Sequence, residues 1–151
     1  MTLWKKQFIL TYFLGGKPKK AIQLISALKN TYDILEIIHL EDLKDIAAYK
    51  TGPEEFLGYI NSAKAVLTDS FHGMAFSIIM ETPFVVYERI GTKSMYSRIE
   101  TILSALELKD REDEMINSTE DLFKVNFDRA KSLLRAEQAK AYKYLRKNLD
   151  A

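Results

Sequence analysis

One short segment of the sequence combines residue types that can do acid–base chemistry on an anionic ligand. Residues 69–73 read Asp-Ser-Phe-His-Gly between an apolar run and a mostly apolar segment typical of a buried helix. Ser70 is a favourable N-cap, and the unpaired N–H groups of a helix start bind anions together with the positive end of the helix dipole. His72 is a natural proton carrier near neutral pH, and Gly73 would let a ligand or a neighbouring backbone approach closely. The segment therefore predicts an anion site, with a helix-start histidine of no catalytic role as the alternative and Asp69 as a helix-capping residue.

Two further segments could complete such a site. Arg89, Lys93 and Arg98 are opposed by Glu88, and an arginine fork matches carboxylate and phosphate groups. Arg98 could instead belong to a solvated helix surface. The third segment is the glycine-rich loop 15–17, whose glycines are more often only a turn. The ligand these groups predict is a small molecule with more than one anionic group.

The elements that position these segments follow a βαβ pattern, because short apolar runs alternate with amphipathic stretches. Strands are predicted at 7–14, 34–40, 63–68 and 84–87, and helices at 21–29, 53–60, 73–80, 95–106 and 127–149. Residues 41–52 are expected to form a loop or a short helix, and the acidic residues 110–121 to lie at the surface. The predicted fold is one three-layer α/β domain with a mostly parallel sheet. In such sheets ligands bind beyond the carboxyl ends of the strands, so the three chemically rich loops should converge there.

Composition excludes several classes of function. The 151 residues include no cysteine, which rules out a disulfide framework, a thiolate zinc site and a cysteine nucleophile. Twenty-two Lys and Arg against 21 Asp and Glu argue against wholesale electrostatic binding to nucleic acid or to an anionic membrane. No apolar run approaches the roughly 18 residues of a spanning helix. We expect a soluble, cytoplasmic protein without a transmembrane segment, a cofactor or a metal site; His39, at a strand end, is more often packing or surface.

Residues 68–73, their continuation through 75–79 and the Pro83-Phe84 pair resemble the polysaccharide pyruvyl transferase family. The later segment 94–100, with Leu103 and residues 108–111, is similar to a second block of the same family. Upstream segments 11–15 and 52–56 fit as well, in the same order. Met74 departs from the smaller residues that are common at its position.

The resemblance implies a Rossmann-like architecture of two paired domains with the active site in the cleft between them. It covers the C-terminal, donor-binding half, so residues 1–151 are expected to be that single domain without its N-terminal partner, and to be inactive alone. Family members typically transfer a pyruvyl group from phosphoenolpyruvate to a hydroxyl pair of a sugar, as a ketal, in cell-surface polysaccharide synthesis. The acceptor would be a polysaccharide or a lipid-linked sugar. The expected catalytic residue is His72, and the expected substrate-binding residues are Ser70, Gly73, Arg89, Lys93, Ser94 and Arg98.

Two other functions stay open. The same helix start could hold the diphosphate of a nucleotide sugar, which would make the chain the C-terminal domain of a glycosyltransferase. A non-catalytic α/β binding module is the other possibility, because half of a cleft neither excludes water nor positions an acceptor.

Overall fold

A computed structural model describes residues 7–38, 53–91 and 96–149. Within them, four strands form one parallel sheet in the order β2-β1-β3-β4. The strands are β1 Phe8–Phe13, β2 Asp33–Ile38, β3 Ala65–Thr68 and β4 Phe84–Val86. The helices are α1 Lys19–Leu28, α2 Pro53–Ser62, α3 Phe71–Ile79, α4 Tyr96–Ala105, α5 Thr119–Phe123 and α6 Asp128–Leu149.

The sheet separates two buried apolar clusters, because successive strand residues point to opposite faces. On one face Leu10 of β1 belongs to a cluster with Ile60 of α2 and Met74 of α3. On the other face Ile9 belongs to a cluster with Ile25 of α1. The start of α6 lies on the first face, whereas its described side chains beyond Leu134 are exposed. Helices on both faces of a parallel sheet confirm the predicted three-layer, Rossmann-like α/β fold.

The strand order places a topological switch point at the carboxyl ends of β1 and β3, which we call the crevice. The chain passes from β1 through α1 to β2 on one side, and then through α2 to β3 on the other side of β1. The loop after β1 leads to α1 on one face of the sheet, and the loop after β3 leads to α3 on the other face. These two loops therefore diverge at the carboxyl ends of β1 and β3, which is where ligands bind in open α/β sheets. In this pairing Tyr12 is opposite Thr68, so the loops after these two strands begin side by side.

The expectation that residues 110–121 lie at the surface is wrong for Ile116 and for Arg111, which are buried. Two 3-10 turns, at Lys109–Arg111 and Asp113–Met115, and helix α5 fold this segment onto the sheet. Arg111 is only 2% exposed, and its guanidinium donates to four main-chain carbonyls. Their acceptors are the oxygens of Phe84, Asp121, Leu122 and Lys124. Burial lowers the pKa of this arginine, and the carbonyls compensate the desolvated charge.

Three predicted features lie outside the described residues: His39, the segment 41–52, and the pair Lys93 and Ser94. None of the described helices is both long enough and apolar enough to cross a membrane.

Candidate functional site

Asp69 joins the two sides of the crevice. Its Oδ1 accepts a hydrogen bond of 2.7 Å from the N–H of Leu14, and its Oδ2 accepts one of 2.9 Å from the N–H of Gly15. The residue is 2% exposed, so its carboxylate depends on these two charge-assisted bonds, whereas the donors Leu14 and Gly15 are half-buried. The expectation that Asp69 caps the following helix is wrong, because the N-cap is Ser70. Asp69 instead fixes the loop after β1 against the loop after β3.

The loop after β4 packs against the loop after β1. Gly16 forms an isolated antiparallel bridge with Ile90. A Cβ atom on Gly15 would lie 2.3 Å from the carbonyl oxygen of Ile90 and 2.8 Å from Cγ of Arg89, so only glycine fits there. The structure thus brings together described residues from all three segments that the sequence singled out: Gly15, Asp69 and Arg89. Arg89 is half-buried beside this contact, and within the described residues its Nε atom has no hydrogen-bond partner.

The start of α3 is capped by a serine and leaves two backbone N–H groups unpaired within the described residues. Ser70 Oγ accepts from the N–H of Gly73 at 3.2 Å, and Ser70 O accepts from the N–H of Met74 at 3.0 Å. The N–H groups of Phe71 and His72 have no acceptor in the described part of the chain. Two unpaired donors at the positive end of a helix dipole can hold an anion.

Gly73 lets the start of α3 pack closely against β3. A Cβ atom at this position would lie 2.7 Å from Oγ1 of Thr68, which is fully buried at the end of β3. The same Thr68 oxygen donates to the carbonyl of Tyr12 and accepts from the N–H of Ser70. The glycine therefore lets α3 begin close against the sheet, because a side chain of β3 occupies the space of the missing Cβ.

His72 is exposed rather than buried in the hydrophobic interior. Its ring lies perpendicular to that of Phe71, with 6.0 Å between centroids, and 6.3 Å from the ring of Phe76. Its described ring contacts are both with phenylalanines of α3. An imidazole held by rings but open to solvent can exchange a proton with a bound molecule.

Arg98, in the first turn of α4, lies beside the start of α3. Its guanidinium carbon is 4.6 Å from the centroid of the Phe71 ring, a distance typical of a cation–π contact. Among the described carboxylates none forms an ion pair with Arg98, so Glu88 and Glu100 are not its partners. The guanidinium keeps its N–H edge available.

Sequence reasoning missed Tyr12, the penultimate residue of β1. Burial raises the pKa of its phenol, the negative charge of Asp69 raises it further, and the positive charge of Arg89 opposes both. The ring packs edge-on against Phe56 of α2 at 5.0 Å. Tyr12 therefore lies close enough to Asp69 and Arg89 for their charges to act on its phenol. Its position at the end of a strand beside the crevice is the sequence feature that could have identified it.

The neighbouring surface is negative. A cavity of about 380 Å³ is lined by five carboxylates together with Tyr96 and Ser97; the carboxylates are Glu88, Glu100, Glu112, Asp113 and Glu114. Tyr96 donates to Glu112 Oε1 at 3.0 Å. The carboxylates repel an anionic ligand, so the predicted anion site does not include this cavity. Across the described ranges no three His, Asp or Glu side chains form a group that could hold a metal ion.

Comparison with known proteins agrees with the motif at the start of α3. A family model described as polysaccharide pyruvyl transferase matches residues 5–89, which is more than half of the chain. The matched range includes β1, β3, α3, β4 and Arg89, and ends before the segment that contains Arg98. No curated protein and no solved structure matches the chain.

Proposed function

The chain belongs to the polysaccharide pyruvyl transferase family, and from this premise we propose that it binds phosphoenolpyruvate for transfer of a pyruvyl group to a sugar. The product would be a ketal on two hydroxyls of a cell-surface polysaccharide or of its lipid-linked precursor. This domain would supply the donor site and the proton donor, and a second domain would complete the cleft and hold the acceptor.

The observation that supports this proposal most is the arrangement at the start of α3. The helix is capped by Ser70 and begins beside the crevice between β1 and β3. Its first turn carries an exposed histidine ring and two unpaired N–H groups. Phosphoenolpyruvate carries a phosphate and a carboxylate, so it needs two anion-binding groups close together. The helix start offers the first, and the arginines Arg89 and Arg98 are the candidates for the second.

Ketal formation requires a proton donor near the methylene carbon of phosphoenolpyruvate. A proton passes to the methylene carbon, and the first sugar hydroxyl adds to the oxocarbenium-like carbon that results. The C–O bond to the phosphate then breaks, and the second hydroxyl closes the ketal. Of the two protons lost by the hydroxyls, one restores the proton that the acid supplied and the other leaves on the released phosphate. We assign this acid to His72, which is exposed and adjacent to the unpaired N–H groups.

Two electrostatic effects compete for the charge state of that imidazole. The helix dipole disfavours the imidazolium by about 0.3–1 kcal/mol at an exposed site. A phosphate charge about 4 Å away favours it by up to roughly 4 kcal/mol at an effective dielectric constant near 20. The larger effect belongs to the ligand, so the bound donor would itself favour the protonated, acidic form of His72.

Titration calorimetry of the chain tests the donor. We expect heat of binding with phosphoenolpyruvate and weaker binding in Arg89→Ala, because that variant loses a cation beside the crevice. His72→Gln should keep the fold. In the enzyme assembled with its second domain, the same variant should abolish the release of phosphate from phosphoenolpyruvate. Tighter binding of a nucleotide sugar such as UDP-glucose than of phosphoenolpyruvate would favour the glycosyltransferase alternative. Wild-type turnover with His72→Gln would remove the histidine from the chemistry.

A further inference from the structure

The contact between Phe71 and Arg98 joins two segments that are 27 positions apart in the sequence. Phe71 is the first residue of α3, and Arg98 lies in the first turn of α4. The guanidinium carbon is 4.6 Å from the ring centroid, and Phe71 is half-buried against the core while Arg98 is exposed. One side of the ring is thus fixed by packing and the other receives the cation.

A guanidinium that stacks on a ring can still bind an anion. When a guanidinium lies flat on a ring, its five N–H donors point outward in the plane and stay available. An exposed arginine otherwise loses side-chain rotamer freedom when it is fixed by a ligand. A ring that already restricts the side chain reduces this loss, which is a form of preorganisation.

The placement of the ring directs the guanidinium to the candidate site. Phe71 carries one of the two unpaired N–H groups of the helix start, and the other belongs to His72, whose ring is 6.0 Å away. Because the described carboxylates form no ion pair with Arg98, its charge is not neutralised by the protein there. An anion at the helix start would therefore meet a cation held by the same residue that begins the helix.

We propose that Phe71 is a positioning residue, which acts by holding Arg98 where it binds an anionic group of the donor. This inference rests on the proposed function only in taking the donor to be an anion at the start of α3. It differs from a simple packing role in one respect: packing needs any large apolar side chain, whereas holding the guanidinium needs an aromatic face.

A double-mutant cycle with conservative controls separates these roles. Phe71→Leu removes the aromatic face and Phe71→Tyr keeps it. Arg98→Ala removes the cation, and the double variant shows whether Phe71 acts through it. Phe123→Leu is the matched packing control, since Phe123 is also half-buried but belongs to the cluster on the opposite face of the sheet. The ligands are phosphoenolpyruvate and, separately, inorganic phosphate, and the Kd is measured by calorimetry.

The expected result is a Kd raised about two- to fivefold in Phe71→Leu, the range set by an exposed cation–π contact. Phe71→Tyr and Phe123→Leu should bind as the wild type does, and Phe71→Leu should add nothing in the Arg98→Ala background. In the ligand-free protein, the side-chain protons of Arg98 should show an upfield ring-current shift in nuclear magnetic resonance spectra that Phe71→Leu abolishes and Phe71→Tyr retains.

Other outcomes overturn either this inference or the proposed function, and they can be told apart. If phosphoenolpyruvate binds equally to wild type and Phe71→Leu, or if the loss persists without Arg98, the positioning role is wrong and the donor site stands. If inorganic phosphate binds but phosphoenolpyruvate does not, the proposed donor is wrong and the cycle run with phosphate decides the role of Phe71. If neither anion binds, both proposals fail.

Discussion

The crevice depends on the two hydrogen bonds of Asp69, and replacing this residue by alanine should loosen it. Hydrogen bonds to a charged group stabilise a fold by about 1.5–3 kcal/mol each, and Asp69 accepts two, from Leu14 and Gly15. Because these two residues are only half-buried, water can satisfy part of what the alanine variant leaves unpaired. We therefore expect Asp69→Ala to lower the free energy of unfolding by about 3 kcal/mol, near the lower end of the summed range.

Asp69→Asn is the informative second variant. Its amide keeps one acceptor oxygen but turns an NH₂ group toward the other backbone N–H, so at least one of the two bonds is lost. The expected loss is about 1.5 kcal/mol or more. Glu137→Ala is the control for removal of one negative charge, because Glu137 is 65% exposed and its ion pair with Lys140 contributes about 0–0.5 kcal/mol.

Urea unfolding followed by circular dichroism measures these differences, provided that the denaturant slope is the same in all variants. The same samples, titrated with phosphoenolpyruvate, should show weaker binding for Asp69→Ala because the loops after β1 and β3 are no longer held together. An unfolding free energy of Asp69→Ala within about 0.5 kcal/mol of wild type would refute the reasoning, since surface substitutions produce changes of that size.

Three further predictions concern the fold around the site. Gly15→Ala should lower the free energy of unfolding by about 1–3 kcal/mol, because its Cβ would overlap the carbonyl of Ile90. Gly16→Ala has no atom within 4 Å of the added Cβ, so its free energy of unfolding should be nearly unchanged in the same urea assay. Arg111→Met should destabilise by about 3 kcal/mol or more, since it deprives four carbonyls of a charged donor; an unchanged midpoint would show that these bonds contribute little. Burial, followed by the charge of Asp113, raises the pKa of Tyr87, so the folded state keeps a proton that the unfolded chain releases near pH 10. Stability should therefore fall as the pH rises above about 10, and Tyr87→Phe should flatten that fall in unfolding curves measured at several pH values.

The sheet and its helices were predictable because their apolar residues follow regular periods. The run from Phe8 to Phe13 and the buried strand Ala65–Thr68 are short and apolar, and the amphipathic helices between strands show their own spacing. The order βαβ then implies a parallel sheet and convergent loops at its carboxyl edge. The approximate place of the site follows from these local signals.

Contacts between distant segments were not predictable in the same way. Asp69 lies 55 and 54 positions from its partners, and the contact exists only because the register sets Tyr12 opposite Thr68. A sequence pattern favours the short-range interpretation, in which an acidic residue before a helix caps it. Gly73 presents the same problem, since the side chain that excludes a Cβ there belongs to the preceding strand.

Arg111 shows why the acidic segment was misjudged. Charged residues in a segment without periodicity indicate a solvated surface, and lone buried arginines are rare. Its four carbonyl acceptors come from the end regions of β4 and α5, which only the folded chain brings together. The cation–π contact between Phe71 and Arg98 has the same origin, because it joins the starts of two helices.

Whether an anionic donor binds at the start of α3 is tested most directly by a nuclear magnetic resonance titration of the chain with phosphoenolpyruvate. We predict saturable changes that are largest at the backbone N–H groups of Phe71 and His72 and at the imidazole ring, with smaller changes at Arg89 and Arg98. Saturable binding that leaves these groups unchanged, or that shifts the residues around the carboxylate-lined cavity instead, would contradict the account.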